Sequence, residues 1–106
     1  MTVVDHEPQF WFLLEADGKL LFDINCTSSF IGYEFAMFLD DEEVRQYQSR
    51  GHLYLNELAE KVNFSAPIMR ESLSPYKNRC VTREYSESIL QAVRRWKSAN
   101  PPNPGG

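Results

Sequence analysis

The sequence predicts an α+β fold, in which a three-stranded antiparallel meander is followed by two or three helices packed on one face, in two layers. Two patterns predict it. The first 39 residues are rich in aromatic residues, alternate with a period of two and contain an Asp17-Gly18 turn. From Asp40 onward, apolar residues recur at helical spacing. The length of 106 residues suits a single domain, predicted over residues 1–99, with a disordered Pro/Gly tail over residues 100–106.

The three predicted strands each rest on a local pattern. Residues 9–15 contain the aromatic run Phe10-Trp11-Phe12 and are followed by the Asp-Gly turn. Residues 19–25 alternate apolar and polar side chains, and residues 30–39 alternate again after a polar loop. Because consecutive strands usually pair with their neighbours, a meander is the simplest connectivity.

The helical half begins at a predicted cap. Asp40 is a favourable N-cap residue, and Glu43 three residues later completes a capping-box pattern. The apolar positions continue at helical spacing as far as Val62, but Gly51 interrupts them, which predicts either a kink or two abutting helices.

A loop and a final helix complete the predicted domain. Pro67 and Pro75 interrupt any regular pattern, so a loop is expected there. Thr82 is a candidate cap for a closing helix whose apolar stripe ends at Trp96. Since these helices are predicted to cover one face of the sheet, the other aromatic face is expected to be available to a partner.

The charge is unevenly distributed along the chain. The net charge is −4, yet residues 1–60 hold 12 acidic and 3 basic residues, whereas residues 61–106 hold 3 acidic and 8 basic residues. Such asymmetry is typical of a partner-binding surface or of two separately solvated faces. The isoelectric point of about 5.1 disfavours nucleic-acid binding.

The N-terminus and the cysteines bear on the compartment. No secretory signal and no long apolar run are visible, so the sequence predicts a cytoplasmic protein without membrane contact. Cys26 and Cys80 are then expected to be reduced, and their proximity stays open.

Chemical motifs are sparse. The potential ligands His6, Cys26, His52 and Cys80 lie at least 20 residues apart, unlike the paired ligands of structural zinc sites, so no metal is predicted. No phosphate-binding motif is present, and no cofactor is predicted. Cys26 with His52 as its base is the one combination that would suit nucleophilic catalysis.

A set of residues, taken in order along the chain, resembles a pattern found in other proteins. They are Phe10 to Cys26, Gly32-Tyr33, Leu39-Asp40-Asp41-Glu42-Glu43-Val44, Tyr47, Gly51, Leu55, Leu58, Ala59 and Ala92-Val93-Arg94-Arg95-Trp96. In this order the chain resembles small uncharacterised bacterial proteins, a resemblance that implies no assigned active site. In size, acidic charge and architecture it also resembles bacterial immunity proteins, which neutralise a toxin domain.

These observations favour a non-enzymatic protein-binding module, immunity-like in character. Acidic residues would steer a basic partner and aromatic residues would anchor it. The predicted binding residues are Trp11, Asp23, Glu34, Asp40, Asp41, Glu42 and Glu43. Two alternatives stay open: a homodimer that buries its spare surface, and a small enzyme that uses Cys26.

Overall fold

The computed structural model describes residues 1–28 and 30–101, and their architecture is α+β. Four strands form one antiparallel sheet in the order β1-β2-β3-β4. The strands are β1 (Thr2–Glu7), β2 (Trp11–Ala16), β3 (Lys19–Ser28) and β4 (Ile31–Phe38). The helices are α1 (Asp41–Arg50), α2 (His52–Phe64) and α3 (Thr82–Ala99), and a 3-10 turn at Lys77–Arg79 precedes α3.

The predicted meander is present, but the predicted count of three strands is wrong, because β1 adds a fourth at the edge. The register shifts between Val3 and Asp5, so a bulge lies at Val4. Val3 therefore faces the same side as Leu14, whereas Asp5 faces the same side as Leu13. A short edge strand with polar residues and a broken alternation lacks the pattern that reveals a strand in a sequence.

The helices cover both faces of the sheet, so the predicted two-layer packing on one face is wrong. The face with Trp11, Leu13 and Phe22 belongs to a core that includes Leu55 and Leu58 of α2. The opposite face belongs to a second core, formed by Leu14, Leu21, Ala36, Ile89 and Ala92. The central strands carry apolar residues on both sides, with Asp23 and Asn25 of β3 as polar exceptions on the second face, and each apolar side requires its own cover.

The segment before α3 reaches the second face at the edge of β4. The Val81 N–H donates to the Ala36 carbonyl at 2.8 Å, and the Ala36 N–H donates to Thr82 Oγ1 at 2.8 Å. Thr82 was predicted to cap α3. Its hydroxyl instead binds the sheet edge, and Val81 is the N-cap residue.

Other local predictions are confirmed. Asp40 and Glu43 form the capping box, with both reciprocal bonds at 2.8 Å. Gly51, at φ 69°, separates two abutting helices. The predicted tail lies outside the described residues from residue 102 onward. In the part of the chain that the structure describes, no helix has the length and apolarity to cross a membrane.

Candidate functional site

A groove of about 790 Å³ lies between α3 and the sheet, and we call it the α3 groove. A four-stranded sheet spans about 14 Å between its outer strands, whereas one helix is about 10 Å across. The helix runs from the β4 edge, where Thr82 binds Ala36, to β1, where the Trp96 ring lies 4.5 Å from that of His6. Part of the sheet face beside α3 is therefore left open.

The α3 groove has apolar walls and a polar inner end. Phe12 of β2 and the α3 side chains Ile89, Leu90, Val93 and Trp96 form the walls. The polar part, which we call the inner end, carries Asp23, which is partly buried, and Asn25 and Glu34, which are exposed. His6, Gln9, Phe10, Lys97 and Asn100 are among the other lining residues.

Aromatic contacts fix the wall of the groove. The Trp96 ring meets the Phe12 ring edge-on, with 5.6 Å between centroids, and the Phe12 ring stacks on His6 at 5.7 Å. Edge-on and offset arrangements of this kind are the favourable aromatic geometries. The wall is thus held by contacts between β1, β2 and α3 that do not require a ligand.

Asp23 is the most perturbed group in the groove. Its register partners are Phe12 and Ala36, so it faces the α3 side of the sheet. Its Oδ1 atom is buried and has no hydrogen-bond partner in the described residues. Burial raises the pKa of Asp23 to about 7, and the nearby negative charge of Glu34 raises it further in the same direction.

No family model matches the chain. No curated protein and no solved structure matches it either. Within residues 1–28 and 30–101, no three His, Cys, Asp or Glu side chains come together as a metal site would require. The α3 groove is the candidate site, since an apolar cavity with a perturbed titratable group is the default hypothesis for a binding site.

The structure separates the six acidic residues among the predicted binding residues into two groups. Asp23 and Glu34 face the α3 groove. Asp40, Asp41, Glu42 and Glu43 lie at the start of α1, a helix that packs on the opposite side of the sheet through Val44 and Tyr47.

Most of the acidic residues at the start of α1 already have structural partners. Glu43 is buried and accepts two bonds from Arg79, at 2.5 and 2.9 Å, while Asp40 caps the helix. Glu42 pairs with Arg45 at 2.7 Å on the surface. Asp41 is exposed. These contacts account for the acidic run by helix capping and ion pairing.

Trp11 was predicted to lie on an accessible surface, and the structure corrects this placement. Its side chain is 1% exposed, and its ring packs edge-on against Phe22. Its Nε1–H donates to Asn56 Oδ1 at 2.9 Å. A buried indole with a satisfied N–H belongs to the core.

The predicted nucleophile Cys26 is buried, and the predicted base His52 contacts two carboxylates. Burial raises the pKa of the Cys26 thiol to about 11, so the thiol is protonated at neutral pH and is a poor nucleophile. His52 Nδ1 lies 3.0 Å from Asp5 Oδ1, and its Nε2 lies 2.8 Å from Glu7 Oε2. Both cysteines are free, Cys26 being buried and Cys80 exposed.

A second surface feature was not predicted from the sequence. Six apolar side chains are exposed in the β3–β4 turn, at the first residue of β4, at the end of α2 and in the loop after it, and we call them the apolar end. They are Phe30, Ile31, Phe64, Ile68, Met69 and Leu73. The Thr27 N–H donates to Asn63 Oδ1 at 2.8 Å, which joins the β3–β4 hairpin to the end of α2. Clusters of exposed apolar residues are typical of interaction sites.

Proposed function

We propose that this chain is a non-enzymatic protein-binding module whose α3 groove receives a basic segment of a partner protein. The observation that carries the proposal is the pair of carboxyl groups, Asp23 and Glu34, in a groove with apolar walls. Grooves of this kind combine apolar area for affinity with a few polar groups for orientation.

The walls supply anchoring surface. Leu90 is 44% exposed, and Trp96 and Phe12 are only partly buried, so a partner side chain would cover apolar area that water now contacts. Aromatic residues in such positions usually contribute most of the binding energy.

The charge supplies selectivity for a basic partner. The chain has a net charge of −4, and the groove contributes two carboxyl groups at its inner end. Complementary charge chiefly accelerates association and excludes partners of the wrong sign. The exposed acids at the start of α1, Asp40, Asp41 and Glu42, add to the acidic field without belonging to the groove.

The environments of Cys26 and His52 support a non-enzymatic role. The thiol is buried and its pKa is raised to about 11, and both ring nitrogens of His52 bind carboxylates. An immunity-like protein that occludes a basic toxin domain in the bacterial cytoplasm is the form of this function that the acidic groove favours.

The experiment compares two leucines. Leu90→Arg places a positive charge in the groove, whereas Leu53→Arg changes an exposed leucine of α2 outside the groove. In affinity capture from the native host followed by cross-linking, we expect Leu90→Arg to lose the partner and Leu53→Arg to retain it. The segment cross-linked to α3 should be basic. Equal capture by both variants, or an acidic segment at α3, would overturn the proposal.

Self-association is a second candidate, and the apolar end favours it. Phe30, Phe64 and Leu73 are each more than 90% exposed. Burying such residues between two copies would remove them from water. Light scattering over a range of concentrations tests this: the dimer model predicts a rising mass that Leu73→Asp abolishes and Leu53→Asp leaves unchanged. A constant monomer mass excludes it.

A further inference from the structure

We propose that the inner end of the α3 groove is a binding site for one cationic side chain, a lysine or an arginine, held by Asp23 and Glu34. The inference rests on the proposed function, since it names the chemical group that the groove selects.

The positions of the two carboxyl groups come from the sheet register. Asp23 is opposite Ala36, and Asn25 is opposite Glu34, so Asp23 and Glu34 are diagonal neighbours on adjacent strands. Residues in this relation face the same side of a sheet, about 7–8 Å apart at their Cα atoms. A single ammonium or guanidinium group is small enough to contact both carboxyl groups at that separation.

One oxygen of the Asp23 carboxyl group has no hydrogen-bond donor among the residues that the structure describes. Asp23 Oδ1 is buried and has no hydrogen-bond partner in the described part of the chain. A buried acceptor without a donor carries a penalty of about 1–3 kcal/mol. Because Oδ1 is closed to solvent, a lysine or arginine in the groove would meet the Asp23 carboxyl group from its accessible side and stabilise the ionised form through its charge.

The apolar walls of the groove favour a bound side chain that has an apolar stem behind its charged group. Phe12, Val93 and Trp96 border the groove that contains the carboxyl groups. Lysine and arginine bury their methylene stems against apolar surfaces while the charged group meets a polar one. A small hydrated metal ion has no such stem and gains nothing from these walls.

The protonation of Asp23 makes binding depend on pH. The raised pKa of about 7 leaves much of the population protonated at neutral pH, and a bound cation favours the ionised form. Binding therefore releases a proton and tightens as the pH rises. The groups that share the groove are Glu34 on β4, His6 on β1 and Lys97 on α3, and Cys26 interacts with Asp23 from the same strand.

The experiment uses three small probes of matched length. Butylguanidinium and butylammonium carry the charge and an apolar stem, and butanol carries only the stem. Titrations followed by ¹⁵N-resolved NMR should show shifts of the β3 and β4 amides with the two cations and none with butanol. Asp23→Asn should weaken cation binding at least tenfold, and Glu34→Gln, which changes an exposed residue, should weaken it severalfold.

The pH dependence is a second readout. If only ionised Asp23 binds, affinity should rise about tenfold between pH 6 and pH 8, as the ionised fraction does for a pKa near 7. His6→Gln is the control, because a protonated imidazole would also repel a cation at low pH. The dependence should persist in His6→Gln and disappear in Asp23→Asn.

The outcomes distinguish the two proposals. Equal binding of butanol, unchanged affinity in Asp23→Asn or a flat pH profile would overturn the cation site. If the cations bind as described but Leu90→Arg still captures the same partner, the site stands and the proposed protein-binding role of the groove fails. Loss of capture in Leu90→Arg without cation binding leaves the proposed function and removes this inference.

Discussion

At the residue scale, Asp23 is held where its ionised form is unfavourable. Raising the pKa of an aspartate from 3.8 to about 7 corresponds to a cost of roughly 4 kcal/mol for the charged form. The cost is absent below the ordinary pKa, where the side chain is protonated in both folded and unfolded states. It is complete above the raised pKa, so this group lowers stability progressively between about pH 4 and pH 7.

We therefore predict that Asp23→Asn stabilises the protein at pH 8. The gain should be about 1–3 kcal/mol, less than the full cost of the charge because the amide also lacks a partner. Urea unfolding at pH 4 and pH 8 measures it, and the gain should vanish at pH 4. A loss of stability in Asp23→Asn at pH 8 would contradict the raised pKa. A stabilising change that removes cation binding would indicate that the carboxyl group serves binding.

His52 gives a pH effect of the same direction at higher pH. Hydrogen bonds to Asp5, then to Glu7, raise the pKa of His52 above its ordinary value of 6.5. Its charged form therefore stabilises the fold fully below pH 6.5, and that contribution is lost as the pH rises through the raised value. Because the His52 side chain is 37% exposed, solvent screening limits the effect to about 1 kcal/mol or less.

We expect His52→Gln to reduce the loss of stability between pH 6 and pH 9 relative to the wild type. Urea unfolding across this range, with an NMR titration of the His52 ring, checks the prediction. The same slope of stability against pH in both proteins, or a His52 pKa at or below 6.5, would contradict it.

At the element scale, Arg79 joins the 3-10 turn to the start of α1. Its guanidinium binds buried Glu43 twice and donates to the Phe38 carbonyl at 2.7 Å. Glu43 also belongs to the capping box, so one carboxylate serves the helix start and the loop before α3. Bidentate guanidinium–carboxylate pairs are strong because both bonds form in one plane.

Arg79→Met is predicted to destabilise the protein by about 3 kcal/mol, because it leaves the buried Glu43 carboxylate without its cationic partner, with only the Asp40 N–H still bound to it. Arg45→Met is the matched control: its partner Glu42 is exposed, so the loss should stay below about 1 kcal/mol. Thermal unfolding of the two variants provides the comparison. Equal losses would show that burial of Glu43 has no energetic weight.

At the scale of the whole molecule, two cores lie on opposite faces of one sheet. Ile89 belongs to the core under α3, and Leu58 belongs to the core under α2. We predict that Ile89→Ala and Leu58→Ala each cost about 2–4 kcal/mol, whereas Leu90→Ala costs less than about 1 kcal/mol because Leu90 is 44% exposed. Denaturant unfolding measures all three. A small loss for Ile89→Ala would mean that α3 contributes little to stability.

Much of the local structure was predictable from the sequence. The predicted segments at residues 9–15, 19–25 and 30–39 correspond to β2, β3 and β4, and the capping box begins α1 as expected. These features depend on neighbouring residues, through alternation, turn chemistry and reciprocal capping bonds. The edge strand β1 has none of these regular signals, since the bulge at Val4 breaks its alternation.

The candidate site was only half predictable. Asp23 and Glu34 were predicted as binding residues, and they face the groove. Trp11 was predicted with them and is among the lining residues of the groove, but its side chain is 1% exposed and belongs to the opposite core, because a one-residue difference along a strand reverses the face. The groove pairs Phe12 with Trp96, 84 positions apart in the chain, and local patterns carry no information about such a contact.

The sequence by itself determined the α+β class, the strand and helix segments with regular periodicity, and the acidic balance of the first 60 residues. Each of these depends on interactions between near neighbours or on composition alone. Only the tertiary structure decided that α3 crosses to the second face, that Glu43 is buried against Arg79, and that Asp23 lies in a groove. Burial and the pKa values that follow from it depend on which distant surfaces exclude water from a group, and that is a property of the packed chain.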